Sequence, residues 1–104
     1  MKPFFSVIIP TLDEKKAIPV LIHQLKEQTY QNFEIIVVDG NSTDGTLRVL
    51  KRLQADIPQL KIFATSRRNL CYQKNYGATQ ALGTYLVFQD ADNELDPAYL
   101  QRIR

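Results

Sequence analysis

The chain has 104 residues, 44% hydrophobic and 23% charged, proportions of a globular domain with one core rather than of a disordered segment. Its 13 Lys and Arg against 11 Asp and Glu leave a net charge of +2, too balanced for a nucleic-acid footprint, and no basic run exceeds two residues. Its single cysteine, Cys71, excludes an internal disulfide framework and a Cys-based zinc cluster, and fits a reducing compartment, the cytoplasm by default.

Residues 1 to 10 hold one lysine and a short apolar run ending in Pro10, with no cleavage signal and nothing near 18 consecutive apolar residues, so no targeting segment or membrane span is expected. Apolar runs at Phe4 to Pro10, Phe33 to Asp39, Leu60 to Thr65 and Thr84 to Gln89 predict four strands. The first, second and fourth are nearly continuous, as in parallel strands covered on both faces. Between the first two, Ile18, Leu21, Ile22 and Leu25 recur at helical spacing with Pro19 in the first turn, which predicts a helix over about residues 18–29. The second helix follows the capping residues Asn41, Ser42, Thr43 and Asp44, carries Leu47, Leu50 and Leu53 on one face, and stops before Pro58.

A third helix is predicted from Leu70 to Leu82, with Cys71, Asn75, Ala78 and Leu82 as its inward stripe and Gly83 as its C-cap. Asp96-Pro97 reads as an N-cap followed by proline at the first position of a last helix. The β-α alternation calls for a single α/β domain over residues 1–104, Rossmann-like, three layers αβα, with four parallel strands in the order 3-2-1-4. In such a sheet ligands bind at the switch point outside the carboxyl ends of the strands. The loops converging there begin at Thr11, Gly40 and Asp90.

Each of those exits is acidic: Asp13 and Glu14 after the first strand, Asp39 at the end of the second, Asp90 and Asp92 after the fourth. Any one carboxylate is explained by local capping. Several at one end of a sheet repel one another unless cations or donors intervene. Hard oxygen ligands suit Mg²⁺ or Mn²⁺, with positions left open for substrate phosphates. Arg67, Arg68 and Lys74 supply a basic complement for anions. The glycine-containing loop at residues 40–46 has neither a dinucleotide fingerprint nor a Walker lysine. His23 sits on a polar helix position, and Cys71 reads as a small buried hydrophobe rather than a nucleophile.

Together, Ser6-Val7-Ile8-Ile9-Pro10-Thr11-Leu12-Asp13-Glu14, the segment from Glu34 to Thr46, Lys74-Asn75-Tyr76-Gly77-Ala78 and Asp90-Ala91-Asp92 resemble the N-terminal, nucleotide-sugar-binding portion of a family 2 glycosyltransferase of the GT-A fold. The resemblance runs from Phe5 to about Tyr99. It implies a metal-dependent, usually inverting transferase acting on a nucleoside-diphosphate sugar, UDP-type favoured, and an unknown acceptor hydroxyl. By motif, Pro10, Thr11, Asp13, Glu14 and Gly40 would line the donor pocket, Asp39 would accept from the base, and Arg68 and Lys74 would reach base or phosphates. Asp90-Ala91-Asp92 resembles the DxD triplet, in which Asp90 leans toward ribose and Asp92 binds the Mg²⁺ or Mn²⁺; both carboxylates are the candidate metal ligands.

Two positions depart from that pattern. Gly40 stands where a second Asp often follows Asp39, and Lys74 stands where Arg is usual. The family's general base is expected downstream of the DxD segment, so the chain is expected to be the truncated N-terminal part of a larger domain and inactive alone. A non-catalytic nucleotide-sugar-binding module is the alternative, and a receiver-like signalling domain is disfavoured by the Asp90/Asp92 pair. Cytoplasmic location is expected, on a membrane's cytoplasmic face if the full protein is anchored. An exposed edge strand is expected to favour a homo-oligomer.

Overall fold

The chain alternates strand and helix throughout: β1 (Phe5–Thr11), α1 (Ile18–Lys26), β2 (Phe33–Asp39), α2 (Thr46–Gln54), β3 (Leu60–Ala64), α3 (Leu70–Gln80), β4 (Tyr85–Phe88) and α4 (Tyr99–Ile103). This computed structural model describes residues 2–104. All three strand pairings are parallel and the order is β3-β2-β1-β4, as the sequence predicts.

The near-continuous apolar runs of β1 and β2 are buried along their whole length, because alternate side chains feed two separate cores. Phe5, Val7 and Ile9 with Phe33, Ile35 and Val37 meet Ile18, Leu21, Ile22 and Leu25 of α1, Leu50 of α2 and Leu100 of α4. On the opposite face Ile8, Ile36 and Val38 pack with Phe63, Tyr76, Ala78 and Ala81, under α3. The chain is therefore three layers, with α3 alone on its side of the sheet.

Helix α1 keeps its predicted buried stripe but ends at Lys26, three residues early. The chain there is diverted to the segment before α4. Thr29 N–H donates to the Pro97 carbonyl at 2.8 Å, and Gln28 donates to the Asp96 carbonyl while accepting from Leu100 N–H. Asp96 itself does not cap α4. That helix starts at Tyr99 behind Ala98, and Asp96 accepts from Ala98 N–H and pairs with Arg102 at 2.5 Å.

Helix α3 departs further from expectation. Its buried residues are Gln73 and Gly77, whereas Cys71 and Asn75 are exposed and Leu82 is 57% exposed. A Cβ on Gly77 would lie 2.6 Å from Ile8 Cγ2, so the helix touches the sheet at a residue without a side chain and no bulky stripe is needed. The helix closes at Ala81, in extended conformation, rather than at Gly83. Gly83 is instead a point of close approach, where its N–H donates to Ser6 Oγ at 2.8 Å and a Cβ would sit 2.5 Å from that oxygen.

β4 also differs from its expected double coverage. It is an edge strand of four residues, with Tyr85, Leu86 and Phe88 each more than 40% exposed. Apolar content alone does not distinguish a covered strand from an uncovered edge. Among the described residues no helix is long and apolar enough to cross a membrane.

Candidate functional site at the strand exits

Thr11 and Asp39 are opposite one another at the last register position of β1 and β2. Asp39 is 2% exposed. Its Oδ1 accepts from Thr11 Oγ1 at 2.7 Å and Ser42 Oγ at 2.6 Å, and its Oδ2 accepts from Ser42 N–H at 3.0 Å. Among the described residues no cation pairs with it. Three donors thus fix a buried carboxylate without neutralising it, and Oδ2 retains room to accept another hydrogen bond.

The loops after β1 and β2 are laced together by bonds between side chains and backbone. Asp13, at φ 55°, donates its N–H to Ser42 Oγ and accepts from Thr43 N–H at 2.7 Å. Glu14 N–H donates to Thr46 Oγ1, and Lys15 N–H to Asp44 Oδ2. Asp44 also accepts from the Thr46 N–H and hydroxyl, behind Gly45 at φ 95°, the N-cap of α2. Short polar residues capture local backbone donors in this way and hold turns that a helix or strand would not.

The loop after β4 is anchored at its middle. Ala91 is 3% exposed and belongs to the α1-side core, while its neighbours Asp90 and Asp92 are exposed. Asn93 ties this loop back by donating to Gln89 Oε1, and Gln89 in turn donates to the Tyr99 hydroxyl. The carboxyl of Glu14 is pushed above its ordinary value, first by burial and then by the charges of Asp92, Asp44, Asp13 and Asp90. Glu14, on the loop after β1, therefore lies within electrostatic reach of acids on the loops after β2 and β4. Among the described residues, however, no three His, Cys, Asp or Glu side chains come together as a set that could hold a metal by themselves.

On the α3 side Arg68 pairs with Asp13 at 3.0 Å, and the Arg67 guanidinium lies 4.6 Å over the Tyr72 ring. Lys74 is half-buried and, among the described residues, forms no ion pair. Gln73 carries a role that the sequence reading misses. Fully buried, its Nε2 donates to the carbonyls of Thr11 and Val38 at 2.9 and 2.8 Å, bridging the two strand exits. Its spacing of four from Gly77 was the available signal.

The geometry thus brings Thr11, Asp13, Asp39, Gly40 and Arg68 together directly, and Glu14, Asp90 and Asp92 by proximity of charge. Pro10 is buried within β1, one residue before Thr11. His23 is exposed, as expected, beside a hollow that it lines with Gln24, Glu27, Leu95 and Pro97, none of them predicted site residues.

The profile of glycosyl transferase family 2 matches residues 6–103. The chain belongs to this family. A β-1,3-glucosyltransferase of Campylobacter jejuni, named for its GalNAc(5)-diNAcBac-PP-undecaprenol substrate, is 36% identical over 95 residues, covering 89% of this chain and 31% of that protein. A PGL/p-HBAD biosynthesis glycosyltransferase of Mycobacterium bovis is 35% identical over 94 residues, covering 89% of this chain and 37% of its own. The chain thus spans about a third of the length of these relatives.

Solved structures agree. The S. aureus TarS 1-349 fragment in complex with UDP-GlcNAc superposes with TM-score 0.86 at 29% identity, over 96% of this chain and 30% of that one. A Pyrobaculum calidifontis mannosyltransferase bound to GDP-Man and Mn²⁺ gives 0.81 at 31% identity, over 88% and 28%. This family 2 glycosyltransferase chain therefore has the GT-A fold and is similar to the nucleotide-sugar-binding portion of such enzymes. The strand exits described above lie where the α/β sheet rule puts a ligand.

Proposed function

We propose that the chain binds a nucleoside-diphosphate sugar, UDP-type, as the donor half of a sugar transferase. The observation that carries this reading is Asp39, a buried carboxylate at the switch point that is held by three donors and left unneutralised. A pyrimidine N–H is the partner such a group suits. Thr11 and Ser42 fix its orientation, and the unpaired Lys74 is the cation available to a phosphate.

Asp90 and Asp92 fit a divalent ion in donor chemistry: two hard, exposed oxygen ligands on a loop pinned by Ala91. One or two carboxylates, completed by substrate phosphate and water, are what Mg²⁺ or Mn²⁺ takes in nucleotide sites. Asp92 would hold the ion and Asp90 would face the ribose. When bound, the ion supplies Lewis-acid stabilisation of charge on the departing diphosphate. The acceptor hydroxyl attacks the anomeric carbon, and no residue of this chain is assigned as its base. A cytoplasmic site of action, at the membrane face, goes with the lone exposed thiol of Cys71 and with the undecaprenol-linked substrate of the C. jejuni relative.

Calorimetric titration with UDP, GDP and CMP, with and without Mn²⁺, tests this reading. UDP binding that depends on Mn²⁺ and is lost in Asp92→Ala is the expected result. No binding of any nucleotide at millimolar concentration overturns it.

A further inference from the structure

The amide of Gln73 is held in one orientation. Its Nε2 donates to the carbonyls of Thr11 and Val38, and turning it over would set an oxygen against two carbonyl oxygens. Thr11 O already accepts from Gly40 N–H at 3.0 Å, so Gln73 uses a second lone pair there and adds a strap beyond the sheet ladder. The Oε1 left over is buried with no hydrogen-bond partner among the described residues, a state that costs free energy and calls for a reason.

That oxygen occupies the space where a side chain on Gly40 would begin. A Cβ on Gly40 would lie 2.5 Å from Gln73 Oε1, 2.8 Å from its Cδ and 3.1 Å from the Arg67 carbonyl. The first two contacts are closer than real Cβ atoms tolerate. Gly40 follows Asp39 directly, so any shift of the strap moves the carboxylate that the donor is read by. The departure at Gly40 noted in the sequence and the polar residue in the buried stripe of α3 are one feature.

We infer that Gln73 is a positioning residue of the donor pocket and that Gln73 and Gly40 are an obligate pair. Its amide fixes the spacing of the β1 and β2 exits, and the bare Gly40 is the room it needs. The effect on ligand rests on the donor-site reading above; the coupling of the two residues does not.

A double-mutant cycle with Gly40→Ala, Gln73→Ala and the double variant tests this, read by melting temperature and by UDP affinity with Mn²⁺. Gly40→Ala is expected to lower the melting temperature and to weaken UDP by about tenfold, and Gln73→Ala to weaken UDP by roughly fivefold. Adding Gly40→Ala to Gln73→Ala is then expected to cost little more, because only the Arg67 carbonyl remains in the way. Equal losses from Gly40→Ala in both backgrounds overturn the pairing. UDP affinity within about twofold of wild type in folded variants overturns the positioning role. If wild-type protein binds no nucleotide, the donor-site reading falls and the melting cycle alone decides: coupling sustains the pair, additivity removes it. Should Gln73→Ala not fold, Gln73→Ser, which likewise clears the space beside Gly40, takes its place in the cycle.

Discussion

Strand β2 carries a buried carboxylate at each end, and the two are satisfied in opposite ways. Glu34, 5% exposed at the start of the strand, receives the Lys61 ammonium at 2.7 Å, Ser6 Oγ at 2.5 Å and Leu82 N–H at 2.6 Å. Asp39, 2% exposed at the end, receives two hydroxyls and one amide and no cation. Burial would raise the Glu34 carboxyl, but Lys61, Ser6 and the Leu82 amide outweigh it and hold the group below its ordinary 4.5. Glu34 closes a structural network that pins the turn between α3 and β4 to β1 and β2. Asp39 is equally well oriented but, among the described residues, has no cation beside it. The carboxylate with a cation closes the fold, and the one held by donors alone is the one proposed above to meet the donor.

The sharpest way to break the contrast is at Glu34. Glu34→Ala removes three charge-assisted or buried hydrogen bonds and is expected to cost about 3 kcal/mol, a fall in melting temperature of roughly 15 °C, with UDP affinity unchanged at temperatures where the protein is folded. Lys61, 42% exposed, returns to water and adds little to that loss. Because the folded value of Glu34 is depressed, its contribution is full above 4.5 and disappears as the pH falls through the lower folded value. Melting curves of wild type and variant should therefore converge in acid, and a gap that stays constant would place the effect in packing alone.

At the other end of the strand the order of effects reverses. Asp39→Asn keeps the shape and gives up the charge, with an expected loss of about tenfold in UDP affinity, about 1.4 kcal/mol, and a smaller fall in melting temperature than Glu34→Ala. If calorimetry showed the opposite ranking, the division between a structural and a functional carboxylate would be lost.

The smallest expected effect is at Glu14, whose carboxyl is raised by burial and by the surrounding acids. Its ionised form is disfavoured in the fold, so the associated stability is present below 4.5 and is lost as the pH rises through the raised value. Glu14→Gln should accordingly stabilise the protein at pH 7 by a few tenths of a kcal/mol and leave it unchanged near pH 4. Mn²⁺ added with UDP should shrink the gain at pH 7. Thermal melts across pH, with and without the pair of ligands, measure all three values.

Much of this architecture is legible in the sequence because β1 and β2 state it without ambiguity. Continuous Val and Ile runs closed by Thr11 and Asp39 point to a covered parallel pair, and the β-α alternation points to right-handed crossovers; the order 3-2-1-4 is one of those such crossovers allow, and the structure has it. Asp13, Asp39 and the Asp90/Asp92 pair are readable because carboxylates gathered at strand exits lack a packing explanation. Helix α3 hides its inward face because hydrophobicity is the wrong signal there: Gly77 lets the backbone approach and Gln73 bonds to carbonyls, so the buried positions look like surface ones. Cys71 and Leu82, which look like core, face water for the same reason. β4 misleads in the other direction, since Leu86 and Phe88 have the composition of a covered strand but lie beyond the reach of α3.

The contact at Gly77 sets a dimension as well as a packing. With Ile8 Cγ2 only 2.6 Å from where a methyl would stand and Val38 Cγ2 at 3.3 Å, α3 rests on the sheet at a hard stop, one turn beyond Lys74. The helix is a jaw, and its closing distance is gauged by a missing methyl group rather than by a loop or hinge. The distance of α3 from the sheet is thus a property of the solid part of the molecule, set where Gly77 meets Ile8.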